Sequence, residues 1–356
     1  MCKVTEAPKI DHVVRIVRKA FGASNAIHIP VDNPVSMDRT NMHLLQQQRY
    51  VVSFKADGTR YVLVLCMYKA RPLACMVDRA GNVFALYVTA PATHFVNTSV
   101  FDGELCACVS GHNTFDFVVF NALIDQGAAL HDKPYIMRLQ HVRNNFSAEP
   151  VPADRRSRFQ SFIFPNSRRL NILRKECEMA ENTRALLLNT VPRYKYDGVV
   201  FTPADCSVVP GRDEQMLKHK TDNPIDVLLV MRDGVNSEMF VDNNGELVRL
   251  ADAVGMPITF DPSRSELFRD IVDGAQVYAR EFRENRLFEH VVEMDCAVNN
   301  GALELRFIRL RPDKDGPNNT TTVLRTLQTI RDNIQLSEIY ELVSVRKPRM
   351  PGQQTL

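Results

Sequence analysis

Residues 50–65, "YVVSFKADGTRYVLVL", set two apolar, β-branched runs on either side of an Asp-Gly pair. That arrangement predicts a β-hairpin closed by a tight turn, with Gly58 supplying a positive φ. The same turn carries an amine, a carboxylate and a guanidinium in Lys55, Asp57 and Arg60. Asp-Gly occurs six times in the chain, at 57, 102, 197, 233, 273 and 315, so one such turn decides nothing about chemistry by itself. Order and company have to decide it.

The chain has 356 residues, 45% apolar and 24% charged, enough for two domains with a sizeable core in the larger. A formal net charge of +2 neither supports nor excludes a nucleic-acid partner, because a basic groove hides easily in a balanced total. Eight scattered cysteines without a CxxC pair point to a reducing, intracellular setting, with Cys106 and Cys108 read as buried small hydrophobes on one strand face. The N-terminus "MCKVTEAPKIDHVV" lacks an apolar signal core, and no apolar run approaches the roughly 20 residues of a membrane span, so no membrane association is expected.

Outward from the opening stretch, residues 8–20 show helical spacing, followed by a Pro-containing loop, "HIPVDNPVSMDR". Strand patterns follow at about 50–56, 59–68, 73–78, 83–88, 100–108 and 115–124, with helices near 130–146 and in "AENTRALLLNTV" and further strands at "GVVFT" and "EQMLKHK". At "TDNPID" (221–226) the character changes to "DVLLVMR", "EMFVD", "GAQVYAREF", "LFEHVVEMDC" and "LELRFIRLR", which suit a five-stranded OB-type barrel. Two helical patterns, "TVLRTLQTIRDNI" and "LSEIYELV", end the chain. The expected organisation is α+β: a first domain at 1–222, an OB-fold domain at 223–335, and a C-terminal helix and tail at 336–356 packing back on the first.

Five segments accompany one another in order: "KADGTR" (55–60), "FDGEL" (101–105), "YDGVVF" (196–201), "LKHK" (217–220) and "RPDKDGPN" (311–318). This series resembles the motifs of the covalent nucleotidyltransferases, the superfamily of mRNA capping enzymes and ATP-dependent polynucleotide ligases. The RxDK ending with its PN pair, together with "NPVSMDR", "VDRAGNVF" and "PGRDEQMLKHKTDNPIDV", is most similar to the single-function RNA guanylyltransferases of large DNA viruses such as the chlorella virus enzyme. The resemblance covers about residues 30–335.

It implies a nucleotidyltransferase domain of antiparallel sheets flanked by helices, and transfer of GMP from GTP through a lysyl-N-GMP phosphoramidate to the 5′-diphosphate end of RNA. Lys55 is then the nucleophile. A free lysine has a pKa of about 10.4, so its neutral form has to be favoured by burial, by nearby cations or by a metal ion. Lys218 and Lys220 share one strand face and neutralise the α-phosphate, while His219 points away and is structural. Arg311, Asp313 and Lys314 reach the β- and γ-phosphates when the OB domain closes about a hinge near Pro224. Nucleotide contacts fall to Asp57, Gly58, Arg60, Arg79, Glu104 and Phe120, the last stacking on guanine. Gly211 and Arg212 match more weakly.

Asp197 and Glu104 are the implied ligands of a divalent cation, Mg²⁺ or Mn²⁺, which favours oxygen donors. The family strand that carries the stacking aromatic often ends in Phe-Asp, where this chain has Phe120-Asn121. Asp226 corresponds to an acidic position at the domain junction. The cluster Arg155, Arg156 and Arg158 is read as a solvated loop or a tracker of RNA phosphates. The resemblance places the activity in the nucleus or a cytoplasmic virus factory. With no HCxxGxxR loop and no glycine-rich methyltransferase motif in the sequence, triphosphatase and methyltransferase steps are assigned to other polypeptides, with RNA polymerase a possible partner. An ATP-using ligase and a catalytically silent RNA-binding relative stay open as alternatives.

Overall fold

A computed structural model describes residues 2–26, 28–109, 114–150, 162–163, 169–220, 222–232, 236–260, 287–312 and 314–344. The expected strand "GAQVYAREF", Asp313 and the Arg155–Arg158 cluster lie outside the described residues. In chain order the elements begin with β1 (Cys2–Lys3), α1 (Ala7–Ala20), β2 (Asn33–Ser36), α2 (Leu44–Gln47), β3 (Tyr50–Ala56), β4 (Thr59–Tyr68), β5 (Arg71–Val77) and β6 (Val83–Leu86). Then come α3 (Ala92–Val96), β7 (Ser99–Ala107), β8 (Thr114–Asp125), β9 (Ala128–Ala129), α4 (Tyr135–Asn145), β10 (Phe162–Ile163), β11 (Arg169–Arg174), β12 (Cys177–Met179), α5 (Thr183–Asn189), β13 (Tyr196–Pro203) and β14 (Arg212–Lys220). The rest is β15 (Ile225–Arg232), β16 (Asn236–Asn243), β17 (Glu246–Arg249), α6 (Leu250–Val254), β18 (Ile258–Phe260), β19 (Leu287–Asn299), β20 (Ala302–Leu310), α7 (Thr320–Asp332) and α8 (Leu336–Ser344).

Contacts divide the chain into two units. The first comprises Met1–Met37, Asn41–His219 and Leu336–Leu356; the second comprises Asp38–Thr40 and Lys220–Gln335. The first unit holds two sheets, one running β1-β6-β5-β4-β7-β8-β11-β10 with β9 beside β8, the other β12-β3-β13-β14-β2. The architecture is α+β, as the sequence implied.

The hairpin expectation fails at the opening stretch. β3 pairs with β12 and β13, whereas β4 pairs with β5 and β7, so the two arms belong to different sheets. Asp57-Gly58 is the corner between them. Gly58 does not take a positive φ. Its requirement is space: a Cβ there would lie 2.5 Å from the Leu105 carbonyl oxygen, 2.8 Å from Cys106 Sγ and 2.9 Å from Glu104 Cγ. Part of the supposed Pro-containing loop is also a strand, since β2 runs parallel to β14.

β4 explains why its sequence is apolar without a break. Val62, Val64 and Cys66 face one cluster with Val13, Val17 and Ala20 of α1, while Leu63 and Leu65 face a second with Val142 and Phe146. A strand covered on both faces cannot alternate polar and apolar residues. The α1 residues recur at i, i+4 and i+7, one helical face, and burying each valine contributes about 1.5 to 3 kcal/mol. α1 starts with a proline in its first turn and stops where Gly22 adopts φ +70°.

In the second unit the described residues form six strands in the order β17-β16-β15-β19-β20-β18, an OB-like arrangement in which β17 and β18 are strands the sequence reading did not include. Val227, Leu229 and Met231 alternate into its core and meet Val323 and Leu327 of α7. Asn319 caps α7 by accepting from the Thr322 N–H at 2.8 Å.

Candidate active site

The corner between the two sheets opens into a cavity of about 160 Å³. Among its lining residues are Lys55, Arg60, Arg79, Glu104, Phe120 and Lys175. β3 carries Lys55 at its end, and β13 brings Asp197 to it: Lys55 Nζ donates to Asp197 Oδ1 at 2.7 Å and Oδ2 at 3.0 Å. A register shift between Tyr196 and Val199 turns the start of β13, and Asp197 sits within that shift.

On the other sheet, Arg60 of β4 lies directly across from Glu104 of β7. Its guanidinium is almost wholly buried between Asp102 and Asp32, donating through Nε to Asp102 Oδ1 at 3.0 Å and also bonding the Asp32 carboxylate and carbonyl. Burial works against the Arg60 charge, but the Asp102 and Asp32 carboxylates override it and hold the group above its ordinary value. Asp102 and Glu104, two residues apart on β7, have different tasks: Asp102 is consumed by Arg60, and Glu104 lines the cavity. Burial pushes the Glu104 carboxyl up, and burial pushes the Lys175 ammonium down, each opposed by the other's charge. Arg79 is lowered by burial and by the Arg60 charge.

Phe120 reaches the cavity because β8 bulges there. Asp102 pairs with Asn121 and Gly103 with Val119, leaving Phe120 as the extra residue. Its ring has the Arg60 guanidinium 5.2 Å away and Lys175 Nζ 4.9 Å away. Tyr135 of α4 supports it by donating its hydroxyl to the Phe120 carbonyl at 3.0 Å.

Asp57 is an exposed corner residue whose N–H bonds the Lys195 carbonyl at 2.9 Å, and it does not line the cavity. Lys218 shares the alternating face of β14 with the lining residue Met216, but neither it nor Lys220 is part of the lining, and Lys220 opens the second unit. Within that second unit, Arg311 donates to Asp226 Oδ1 at 2.8 Å and Glu293 Oε1 at 3.2 Å. Arg311 and Lys314 line a separate cavity of about 330 Å³. The sequence reading did not include Asp32, Lys175 and Tyr135, each of which lies outside the five motif segments.

Among the described residues no group of three His, Cys, Asp or Glu side chains forms a ready-made cage for a metal ion. Glu104, which lines the cavity, and Asp197, which does not, are both hard oxygen donors of the kind that Mg²⁺ or Mn²⁺ takes alongside water and substrate phosphates.

A lysine, a carboxylate partner and a cationic cleft between two sheets, followed by an OB-like unit, define a nucleotidyltransferase. The chain belongs to the mRNA capping enzyme family: the family's catalytic domain matches residues 3–222 and its C-terminal domain residues 247–340. Its activity is that of the capping guanylyltransferases. It is 25% identical to the mRNA-capping enzyme subunit alpha of Schizosaccharomyces pombe over 94% of this chain and 84% of that protein. Identity to the mRNA-capping enzyme of Mus musculus is 23%, over 96% of this chain and 54% of that protein. Among solved structures, a mycobacterial DNA ligase D complexed with ATP and MES is similar at a TM-score of 0.40 and 15% identity, covering 80% of this chain and 94% of that one. No helix among the described residues is long and apolar enough to cross a membrane.

Proposed function

We propose that the chain transfers GMP from GTP to the 5′-diphosphate end of RNA through a covalent intermediate on Lys55. The observation that carries this reading is the Lys55–Asp197 contact beside a cavity lined by Arg79, Glu104 and Lys175. Lys55 Nζ, once relieved of its proton, attacks the α-phosphorus. The N–P bond forms, the bond from that phosphorus to the bridging oxygen breaks, and pyrophosphate leaves. In the second step an oxygen of the RNA diphosphate attacks the same phosphorus, the N–P bond breaks, and the lysine regains a proton.

Arg79 and Lys175 offer positive charge to the nucleotide, and Phe120 offers a face for the base. Arg60 acts mainly as the buried brace that holds this wall. Lys218 and Lys220 are proposed for the α-phosphate, and Arg311, Asp313 and Lys314 for the departing pyrophosphate. A divalent cation held by Glu104 and Asp197 would neutralise phosphate charge as the leaving group departs. A triphosphatase would supply the diphosphate-ended RNA before this transfer, and a methyltransferase would modify the cap after it. The likeness to the enzymes of large DNA viruses rests on the motif segments; the relatives reported above are a fungal and an animal protein.

Incubation with α-labelled GTP or ATP tests the reading. GTP is expected to label the protein, diphosphate-ended RNA to discharge the label, and Lys55→Ala to abolish it. Labelling by ATP alone would replace capping with ligation, and no labelling by either nucleotide would indicate a silent relative. The label should be lost in acid and persist in alkali, because a protonated nitrogen is the better leaving group.

A further inference from the structure

Behind the aromatic wall of the cavity lies Arg138, a side chain of α4 that is 1% exposed. Its Nε donates to Asn121 Oδ1 at 3.0 Å, and its Nη1 donates to the carbonyls of Lys133 at 2.6 Å and Cys206 at 3.1 Å. Its guanidinium carbon stands 5.3 Å from the centre of the Tyr135 ring, and Tyr135 in turn holds the Phe120 carbonyl. The acceptors are all neutral, although Asn121 occupies the place where the Phe-Asp pattern would supply a carboxylate.

These contacts converge on one weak point. The bulge at Phe120 interrupts the β7–β8 ladder, and a bulged residue has no cross-strand partner to fix it. Arg138 restrains the bulged residue and one flank of the bulge, taking Asn121 directly and Phe120 through Tyr135. Three acceptors in different directions match the planar fork of a guanidinium, which a lysine ammonium cannot reproduce.

We infer that Arg138 is a positioning residue that fixes the Phe120–Tyr135 wall against which the nucleotide base lies. The inference rests on reading this cavity as the nucleotide site. Arg138 is not among the residues lining the cavity, so its loss should weaken ligands that carry a base and spare those that do not. A merely structural arginine would affect both alike.

The test is equilibrium binding of GTP and of inorganic tripolyphosphate to the full chain, comparing the parent with Arg138→Lys, Arg138→Met and Phe120→Leu. With each lost hydrogen bond worth about fivefold, GTP should bind roughly 5- to 20-fold more weakly to the Arg138 variants. Tripolyphosphate should change by less than about twofold. Phe120→Leu should reproduce the GTP loss. Parental GTP affinity in both Arg138 variants alongside a weakened Phe120→Leu overturns the inference, as does an equal loss of GTP and tripolyphosphate. Unchanged GTP binding in Phe120→Leu instead overturns the reading of the wall itself. Should the Arg138 variants not fold, Tyr135→Phe, which deletes only the hydroxyl bond to Phe120, carries the same comparison with about a threefold to fivefold expected loss for GTP.

Discussion

Lys55 Nζ stands 2.7 Å from Asp197 Oδ1 and 3.0 Å from Oδ2, so one carboxylate holds the ammonium with both oxygens. An ammonium held in this way has no lone pair to offer. In the proposed reaction, attack by Lys55 would require the proton to leave and the carboxylate to turn to another cation. Asp197→Ala is therefore expected to fold and to lose about a hundredfold or more in the rate of labelling by α-labelled GTP, while chelation of divalent cations silences the parent. Single-turnover labelling measures both; parental rates in the variant would remove Asp197 from the mechanism.

Arg60 lies between two buried carboxylates, Asp32 and Asp102. Arg60→Met would leave both without their counter-charge, and breaking such a buried set costs about 3 to 5 kcal/mol. Urea unfolding should show that loss, and a loss below about 1 kcal/mol would mean that the three charges do not act as a unit.

Gly58→Ala would drive a methyl group against a carbonyl oxygen and a sulfur at 2.5 and 2.8 Å. Backbone has to move, at a cost of about 1 to 3 kcal/mol, and the corner that carries Lys55 moves with it. The expected result is a folded protein with reduced labelling. Full activity would show that the corner yields freely.

His94 supplies a pH dependence unrelated to the active site. It is buried beside Ser99 Oγ at 2.9 Å and Asp125 Oδ1 at 3.6 Å, and burial lowers its pKa from the ordinary 6.5 despite the Asp125 charge. Below about 6.5 the unfolded chain takes up a proton that the folded chain resists, so this group's contribution is lost as pH falls through the lowered value. His94→Gln should flatten the decline of stability below about pH 6.5 in denaturant titrations. An identical slope in both proteins would assign the acid sensitivity elsewhere.

The strands of the first unit were legible because β-branched runs and turn residues mark them, and the motif series led to Lys55, Arg79, Glu104 and Phe120, which line one cavity. Partnership was not legible. A strand reads the same whether it pairs with its sequence neighbour or with one 140 residues away, and the Asp-Gly signal therefore misassigned β3 and β4. Asp32 and Lys175 escaped for a related reason: a single charge carries no periodicity, and only the folded chain shows that it has been buried. The motif casts Arg60 as a ligand contact, whereas its surroundings make it first a structural ion.

The two sheets are joined at Asp57-Gly58 without a ladder between β3 and β4. A nucleotide that engages Lys55 on one side and the wall behind Glu104 on the other becomes a strut across that joint. The intermediate would then be felt mechanically as well as chemically: covalent loading should slow amide hydrogen exchange in β3 and β7 together, and discharge to RNA should release them together.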